Sequence, residues 1–262
     1  VSMGDGSRLA AEAELAGQLR HAFVAGELTA YYQPQYDLAT GRIVALEALC
    51  RWNHPLQGLL LPARFIDVAE HHGLISAVGR FMLEESGRQA VDWNRRGAHV
   101  GMSINTSPSE LSIQFAERLL RRLAELDLPY RSLTVEVTES PAISYSRAEV
   151  FALETLIDGG VGVSIDDFGT GAASLQLVRR LPLTEVKIDK SLVHDLRRSI
   201  DGLVGTCIAI ARERNAVVVA EGVETQEQFE RVIHWGCDRA QGYFFSPPLP
   251  VADVEPLLLG AA

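Results

Sequence analysis

Short β-branched runs alternate with amphipathic helical stretches along most of this chain, and that alternation leaves few folds open. The strand-like runs are "VGMSIN", "LTVEVTE", "VGVSIDD", "EVKID", "AVVVAE" and "AQGYFF". Between them lie "FAERLLRRLAEL", "AEVFALETLIDGG", "GLVGTCIAIARERN" and "TQEQFERVIHWG", all with helical periodicity. Strand, helix, strand is a crossover, and crossovers make successive strands parallel. Upstream, the segment 9–28 ("LAAEAELAGQLRHAFVAGEL") is helical in pattern. It precedes "AYYQPQYDL" and "IVALEALCRW", joined by the Gly-containing turn "ATGR", which predicts an antiparallel hairpin. Eight strands in about 230 residues favour a closed barrel over an open sheet, since a (β/α)8 barrel takes about 250. The fold class expected is therefore α/β, a (β/α)8-type barrel modified by an antiparallel first strand. No linker or repeat interrupts 9–259, so 9–262 reads as one domain and 1–8 as a remnant or linker.

Bulk properties exclude several roles. The formal net charge of −10 will not gather a nucleic-acid polymer or an anionic membrane, and no Lys/Arg run reverses it locally. No apolar run approaches the length of a membrane-spanning helix. Cys50, Cys207 and Cys237 are odd in number and lack metal-ligand spacing, which fits a reducing, cytoplasmic compartment.

The chemistry is concentrated at strand ends. Glu47 lies within "IVALEAL", "VGMSIN" ends on Asn105, and "LTVEV" offers Glu136 with Glu139 just beyond. "VGVSI" stops at Asp166 and Asp167, "TEVK" at Lys187, "VVVAE" at Glu221, and the last strand supplies Gln241. A lone acidic residue at a strand end is most often a helix cap or a solvated side chain. In a barrel, however, strand C-termini form one face, the face that carries chemistry. Carboxylates converging there repel one another unless something compensates. Oxygen ligands of this kind suit Mg²⁺ or Mn²⁺, so Asp166 and Asp167 read as parts of a divalent-cation site.

Other motifs fail. "DFG" at 167–169 has none of the accompanying kinase motifs, and "GTG" lacks the third glycine of a dinucleotide fingerprint. His71 and His72 are neighbours on a helix and point to different faces. Three reaction types suit the face that remains. One is phosphodiester hydrolysis by two metals about 3.5–4 Å apart. Another is proton abstraction with Lys187 as base and a metal-held enediolate. The third is glycoside hydrolysis by Glu136 and Glu221. With 7% aromatic residues the chain offers few sugar platforms. The first two stay close, and the second acid at Asp167 favours two metals.

"YYQPQYDLATGRIVALEALCRWNHP" resembles the opening of the EAL family of cyclic di-GMP phosphodiesterases, with the E-A-L triplet at Glu47, Ala48 and Leu49. The likeness continues in order through "MSINTSPSEL", "LTVEVTES", "SIDDFGTG", "LPLTEVKIDKSLV", "VVVAEGVET" and "GCDRAQGYFFSPPL". The triplet alone arises by chance; seven ordered blocks do not. The resemblance implies two ions, Mg²⁺ or Mn²⁺, with Glu47, Asn105, Glu136 and Asp166 on the first and Asp167 on the second. It implies that Lys187 orients the attacking water and Glu221 takes its proton or helps hold the second metal. Glu139 would fix the loop after Asp167, while Gln33, Arg51 and Gln241 would contact substrate. Cyclic di-GMP would be opened to linear pGpG; a non-catalytic cyclic di-GMP receptor is the alternative. A homodimer through a barrel face, and neighbouring sensor or cyclase domains in a longer and perhaps membrane-anchored protein, follow from the same resemblance. The chain departs from the family at Gln35, where a hydrophobic residue is common and guanine contacts are expected to change slightly. It departs also at Ala172 and Ala173, in the loop associated with barrel pairing.

Overall fold

The computed structural model describes residues 3–138, 145–168, 179–195 and 197–260. A long helix, α1 (Met3–Ala25), leads into β1 (Leu28–Asp37), β2 (Ile43–His54) and a short β3 (Gly58–Leu60). Next come α2 (Ile66–His71), α3 (Ile75–Arg95), β4 (Gly101–Thr106), α4 (Ile113–Leu126), β5 (Leu133–Thr138) and α5 (Arg147–Asp158). The second half holds β6 (Gly162–Phe168), β7 (Glu185–Ile188), α6 (Lys190–His194), α7 (Arg198–Glu213) and β8 (Val217–Ala220). It ends with α8 (Gln226–Trp235), β9 (Arg239–Ala240) and α9 (Val251–Leu259).

Eight strands close a ring in the order β1-β9-β8-β7-β6-β5-β4-β2, with β1 returning to β2. β1 is antiparallel to both of its neighbours, and every other contact around the ring is parallel. The hairpin explains this. Asp37 Oδ1 accepts from the Thr40 amide at 2.8 Å and Gly41 takes φ 69°, so the chain reverses within a few residues. This is the modified (β/α)8 barrel expected from the alternation.

Three details differ from the sequence reading. α1 already begins at Met3, before the periodicity noted from Leu9. β3 lies outside the ring, folded back on β2 by the turn after His54. Of the run "AQGYFF" only the first residue, Ala240, is strand, at the end of β9, because Gly242 takes φ 151° and turns the chain into a cluster of Phe229, Phe244 and Phe245.

Residues paired across a sheet share a face, so register sorts every side chain. Leu46, Met102, Val135, Val163, Val186 and Val218 face outward and are buried beneath the helices, forming the core. Most inward positions are polar or small, with Val217 and Val219 of β8 the apolar exceptions beside Glu185 and Lys187. The barrel thus puts its grease between sheet and helices and reserves its axis for charge.

Candidate metal centre

Lys187 sits at the middle of that axis with no exposed surface. Its Nζ lies 2.7 Å from Glu221 Oε1, 2.8 Å from Glu136 Oε2, 3.2 Å from Glu47 Oε2 and 3.2 Å from Asp166 Oδ1. These residues come from β7, β5, β2, β6 and the position just after β8. Gln241, just past β9, donates from Nε2 to Glu47 Oε2 at 2.6 Å and to Glu221 Oε1 at 2.9 Å. Asn105 on β4 donates from Nδ2 to Glu47 Oε1 at 3.1 Å. The polar strand ends read from the sequence are therefore one connected group.

Two sets of carboxylates bring one oxygen from each member within 4.8 Å of the others: Glu47, Glu136 and Asp166, and Asp166, Asp167 and Glu221. Asp166 belongs to both. No other such set of acidic, His or Cys side chains occurs among the described residues. Asp167 joins because the register of β6 slips between Ile165 and Phe168 and Asp167 adopts φ 55°. In a regular strand it would point away from its neighbour.

The electrostatics are lopsided. Five carboxylates (Glu47, Glu136, Asp166, Asp167 and Glu221) share one ammonium. Burial pushes the Glu136 carboxyl well above the usual range, reinforced by Glu47 and Asp166 and only partly offset by Lys187. Glu221 is raised in the same way, by burial and then by Asp166 and Glu47 against the pull of Lys187. Asp167 is pushed up to about 6 by burial, Asp166 and Asp189. Glu47 moves the other way: burial opposes it, but Lys187, Gln241 and Asn105 outweigh burial and hold it down. Lys187 is raised well above its ordinary value, since the carboxylates overcome its desolvation. Glu136 Oε1 is buried without a hydrogen-bond partner. An orphan carboxylate oxygen, surplus negative charge and an all-oxygen donor set with an amide fit a hard divalent cation.

A cavity of about 630 Å³ opens above the carboxylates, bordered by Glu47, Asn105, Asp166, Asp167, Glu70 and Lys190. That volume suits a small organic ligand. Lys190, the first residue of α6, was not singled out from the sequence. Its signal was the second lysine of "KIDK", two residues past the strand. Arg51 shares a face of β2 with Glu47 and Leu49; its guanidinium lies 5.4 Å from the Tyr31 ring centroid and donates to Cys50 O at 2.9 Å. Gln33 lies opposite Glu47 and donates to Ser246 O at 3.3 Å. Gln35 lies fully buried opposite Ala45, with no surface from which to touch a guanine. Glu139, Ala172 and Ala173 lie outside the described residues.

Residues 16–248 match the model of the EAL domain. The chain belongs to the EAL domain family. The bifunctional diguanylate cyclase/cyclic di-GMP phosphodiesterase MucR of Pseudomonas aeruginosa is 37% identical over 254 residues, covering 95% of this chain and 36% of that protein. The oxygen sensor protein DosP of Escherichia coli is 38% identical over 244 residues, covering 92% of this chain and 30% of that protein. The chain thus spans about a third of the length of these curated relatives. The solved MucR phosphodiesterase in complex with c-di-GMP superposes with a TM-score of 0.86 at 36% identity, covering 92% of this chain and 99% of that one. No helix among the described residues is long and apolar enough to cross a membrane.

Proposed function

We propose that this domain hydrolyses one phosphodiester bond of cyclic di-GMP, releasing linear pGpG, with two Mg²⁺ or Mn²⁺ ions at the paired carboxylate sets. The observation that carries the reading is the sharing of Asp166 between two oxygen-ligand sets at the floor of a ligand-sized cavity. Relatives named as cyclic di-GMP phosphodiesterases supply the substrate class. Glu47, Asn105, Glu136 and Asp166 would hold one ion, and Asp167 with Glu221 the other. Such ions, when bound, acidify water and stabilise both the attacking and leaving oxygens.

The chain's own residues do the rest. A water oxygen bonds to phosphorus as the bond to the ribose 3′ oxygen breaks, and the water's proton must go to a base. Glu221, whose Oε1 lies 2.7 Å from the Lys187 ammonium, would take that proton where it does not instead serve the second ion. Lys187 keeps its proton and orients the water while offsetting charge that builds on the phosphate. Arg51 would grip phosphate oxygens in a fork with the guanidinium N–H groups it has left, and Gln33 and Gln241 would contact the substrate beside it, as the family resemblance implies. A cytoplasmic setting, pairing of two copies through a barrel face, and adjoining sensor or cyclase domains belong to the same proposal and rest on the family resemblance.

The test is incubation of the purified chain with cyclic di-GMP and Mg²⁺ or Mn²⁺, a chelator control, and chromatography of the nucleotides. Metal-dependent pGpG is expected, and Glu47→Ala should abolish it. Intact cyclic di-GMP that nonetheless binds, without metal and in Glu47→Ala, would make the domain a receptor. Failure both to bind and to cleave would reject the substrate.

A further inference from the structure

A (β/α)8 barrel ordinarily fills its interior with layers of Val, Ile and Leu. Here the register places Gln35 opposite Ala45, Glu136 opposite Ser164, and Ser164 opposite Glu185. Glu47 and Glu136 reach Lys187 across the axis, so Gln35, Ser164 and Glu185 face the same interior. Their inward neighbours Gly101, Ser103 and Gly162 are small, and Val217 stands opposite Glu185. Space that bulky residues normally occupy is left for something else.

Several polar atoms there lack protein partners. Gln35 has no exposed surface, and neither its Nε2 nor its Oε1 is hydrogen-bonded. Ser164 and Glu185 stand opposite each other, close enough for the hydroxyl to face the carboxylate, while Glu136 Oε1 and Gln241 Oε1 are buried and unpartnered among the described residues. So many dry polar atoms would cost more than the small net stability of a domain allows. Arg239 Nη1 meets Glu185 Oε2 at 3.2 Å, and an open cleft of about 270 Å³ bordered by Thr134, Gly162, Glu185 and Arg239 reaches that pair from outside the barrel. Polar, roomy interiors are where proteins keep structural water.

We propose that the lower half of the barrel holds a cluster of buried waters between Gln35, Ser164, Glu185 and Gln241, and that Gln35 acts through it as a positioning residue for the metal centre. The pairing of Tyr36 with Ala240 on antiparallel strands puts Gln35 beside Gln241. Gln241 turns its amide nitrogen toward Glu47 and Glu221, so its carbonyl oxygen must point away from them. A water donating to that oxygen, held in turn by the Gln35 amide, locks the orientation. The flipped amide would set an oxygen against two carboxylates. The role toward metal rests on the proposed function; the water cluster does not.

Two measurements test it. A high-resolution crystal structure should contain ordered waters bonded to both the Gln35 amide and Gln241 Oε1; direct contact between the two amides, with no water between, overturns the cluster. Gln35→Leu should lower Tm and weaken Mn²⁺ binding about tenfold by calorimetry, the lower range for loss of an outer partner. Ser164→Ala should give part of the same effect and combine with it non-additively. A dry site predicts the opposite sign, because Leu would relieve an unsatisfied amide and raise Tm. Waters present with unchanged Mn²⁺ affinity would reject the positioning role. Failure of the phosphodiesterase reading is separable, since it appears as absent hydrolysis in the unsubstituted chain while waters, Tm and Mn²⁺ titration are read without substrate.

Discussion

The backbone N–H of Asp167 donates to Asp166 Oδ1 at 2.9 Å, from a residue whose φ is 55°. Left-handed backbone at a non-glycine residue costs on the order of 1–3 kcal/mol and persists where surrounding structure holds it. Its return is geometric: two consecutive carboxylates enter the same barrel mouth, which an unbroken strand forbids. Aspartate and asparagine tolerate this conformation better than other non-glycine residues.

Asp167→Asn should therefore keep the bulge and exchange the second metal's anionic ligand for a weaker, neutral one. We expect hydrolysis of cyclic di-GMP to fall about 100-fold, the low end for loss of a charge-stabilising group, with Tm unchanged or raised because one repelling charge is gone. Asp167→Ala should lose the same activity and also lower Tm, because alanine resists the left-handed backbone. Steady-state kinetics and calorimetry on the pair separate charge from conformation. Wild-type rates in Asp167→Asn would remove this residue from the site.

Among the described residues, Lys187 is the only cation touching four of the carboxylates. Replacing one partner of a buried ion network leaves the others uncompensated, at about 3–5 kcal/mol. Lys187→Met should destabilise the metal-free protein by that order in urea unfolding at pH 7. Added Mn²⁺ should recover more stability in the variant than in the parent chain. Equal metal effects on both would mean that Lys187 and the cation do not balance the same charge.

The barrel and its antiparallel first strand were legible because period and turn chemistry are local: "ATGR" fixes the hairpin, and crossover helices fix parallel strands. Asn105, Glu136, Asp166, Lys187, Glu221 and Gln241 were legible as a set because each falls at or near a strand's C-terminal end, with Glu47 joining them from within β2. What the sequence hid is set by register and backbone twist. Nothing in "SIDDF" announces a bulge at Asp167, and nothing in "QPQY" says that Gln35 points inward rather than toward a ligand. The early end of β9 also depends on a distant contact, the close approach of Gly242 to Val223.

Stability of the metal-free protein should fall as pH rises through the weakly acidic range. Asp167 goes from 3.8 to about 6 on folding, so the folded state holds its proton more tightly than the unfolded chain. A raised carboxyl contributes stability that is full below 3.8 and lost as pH climbs through about 6. Glu136 and Glu221 are raised too and act in the same sense, while Glu47 is lowered and acts against them. Tm measured with chelator should therefore drop between pH 4 and 6.5, roughly the span of the Asp167 shift. Saturating Mn²⁺ should flatten that drop at its upper end. A chelated Tm that rises steadily over the window would contradict the charge surplus assigned to the site.

Gly242 tests whether the backbone behind Gln241 is as constrained as the site requires. Its φ is 151°, and a Cβ there would stand 2.2 Å from Val223 O and 2.3 Å from Val223 N. Both are main-chain atoms, so no rotamer change relieves the clash. Val223 N also donates to Gln241 O at 3.1 Å, and Phe244 N donates to Val223 O at 2.9 Å, so any shift is passed to Gln241. Gly242→Ala should cost about 1–3 kcal/mol in unfolding free energy. It should also weaken Mn²⁺ binding, because Gln241 leaves its places 2.6 Å from Glu47 and 2.9 Å from Glu221. Leu257→Ala, on the exposed flank of α9, is the control and should stay within about 0.5 kcal/mol. If Gly242→Ala matched that control in both stability and Mn²⁺ affinity, the turn would be free to move and Gln241 would owe its position to the carboxylates alone.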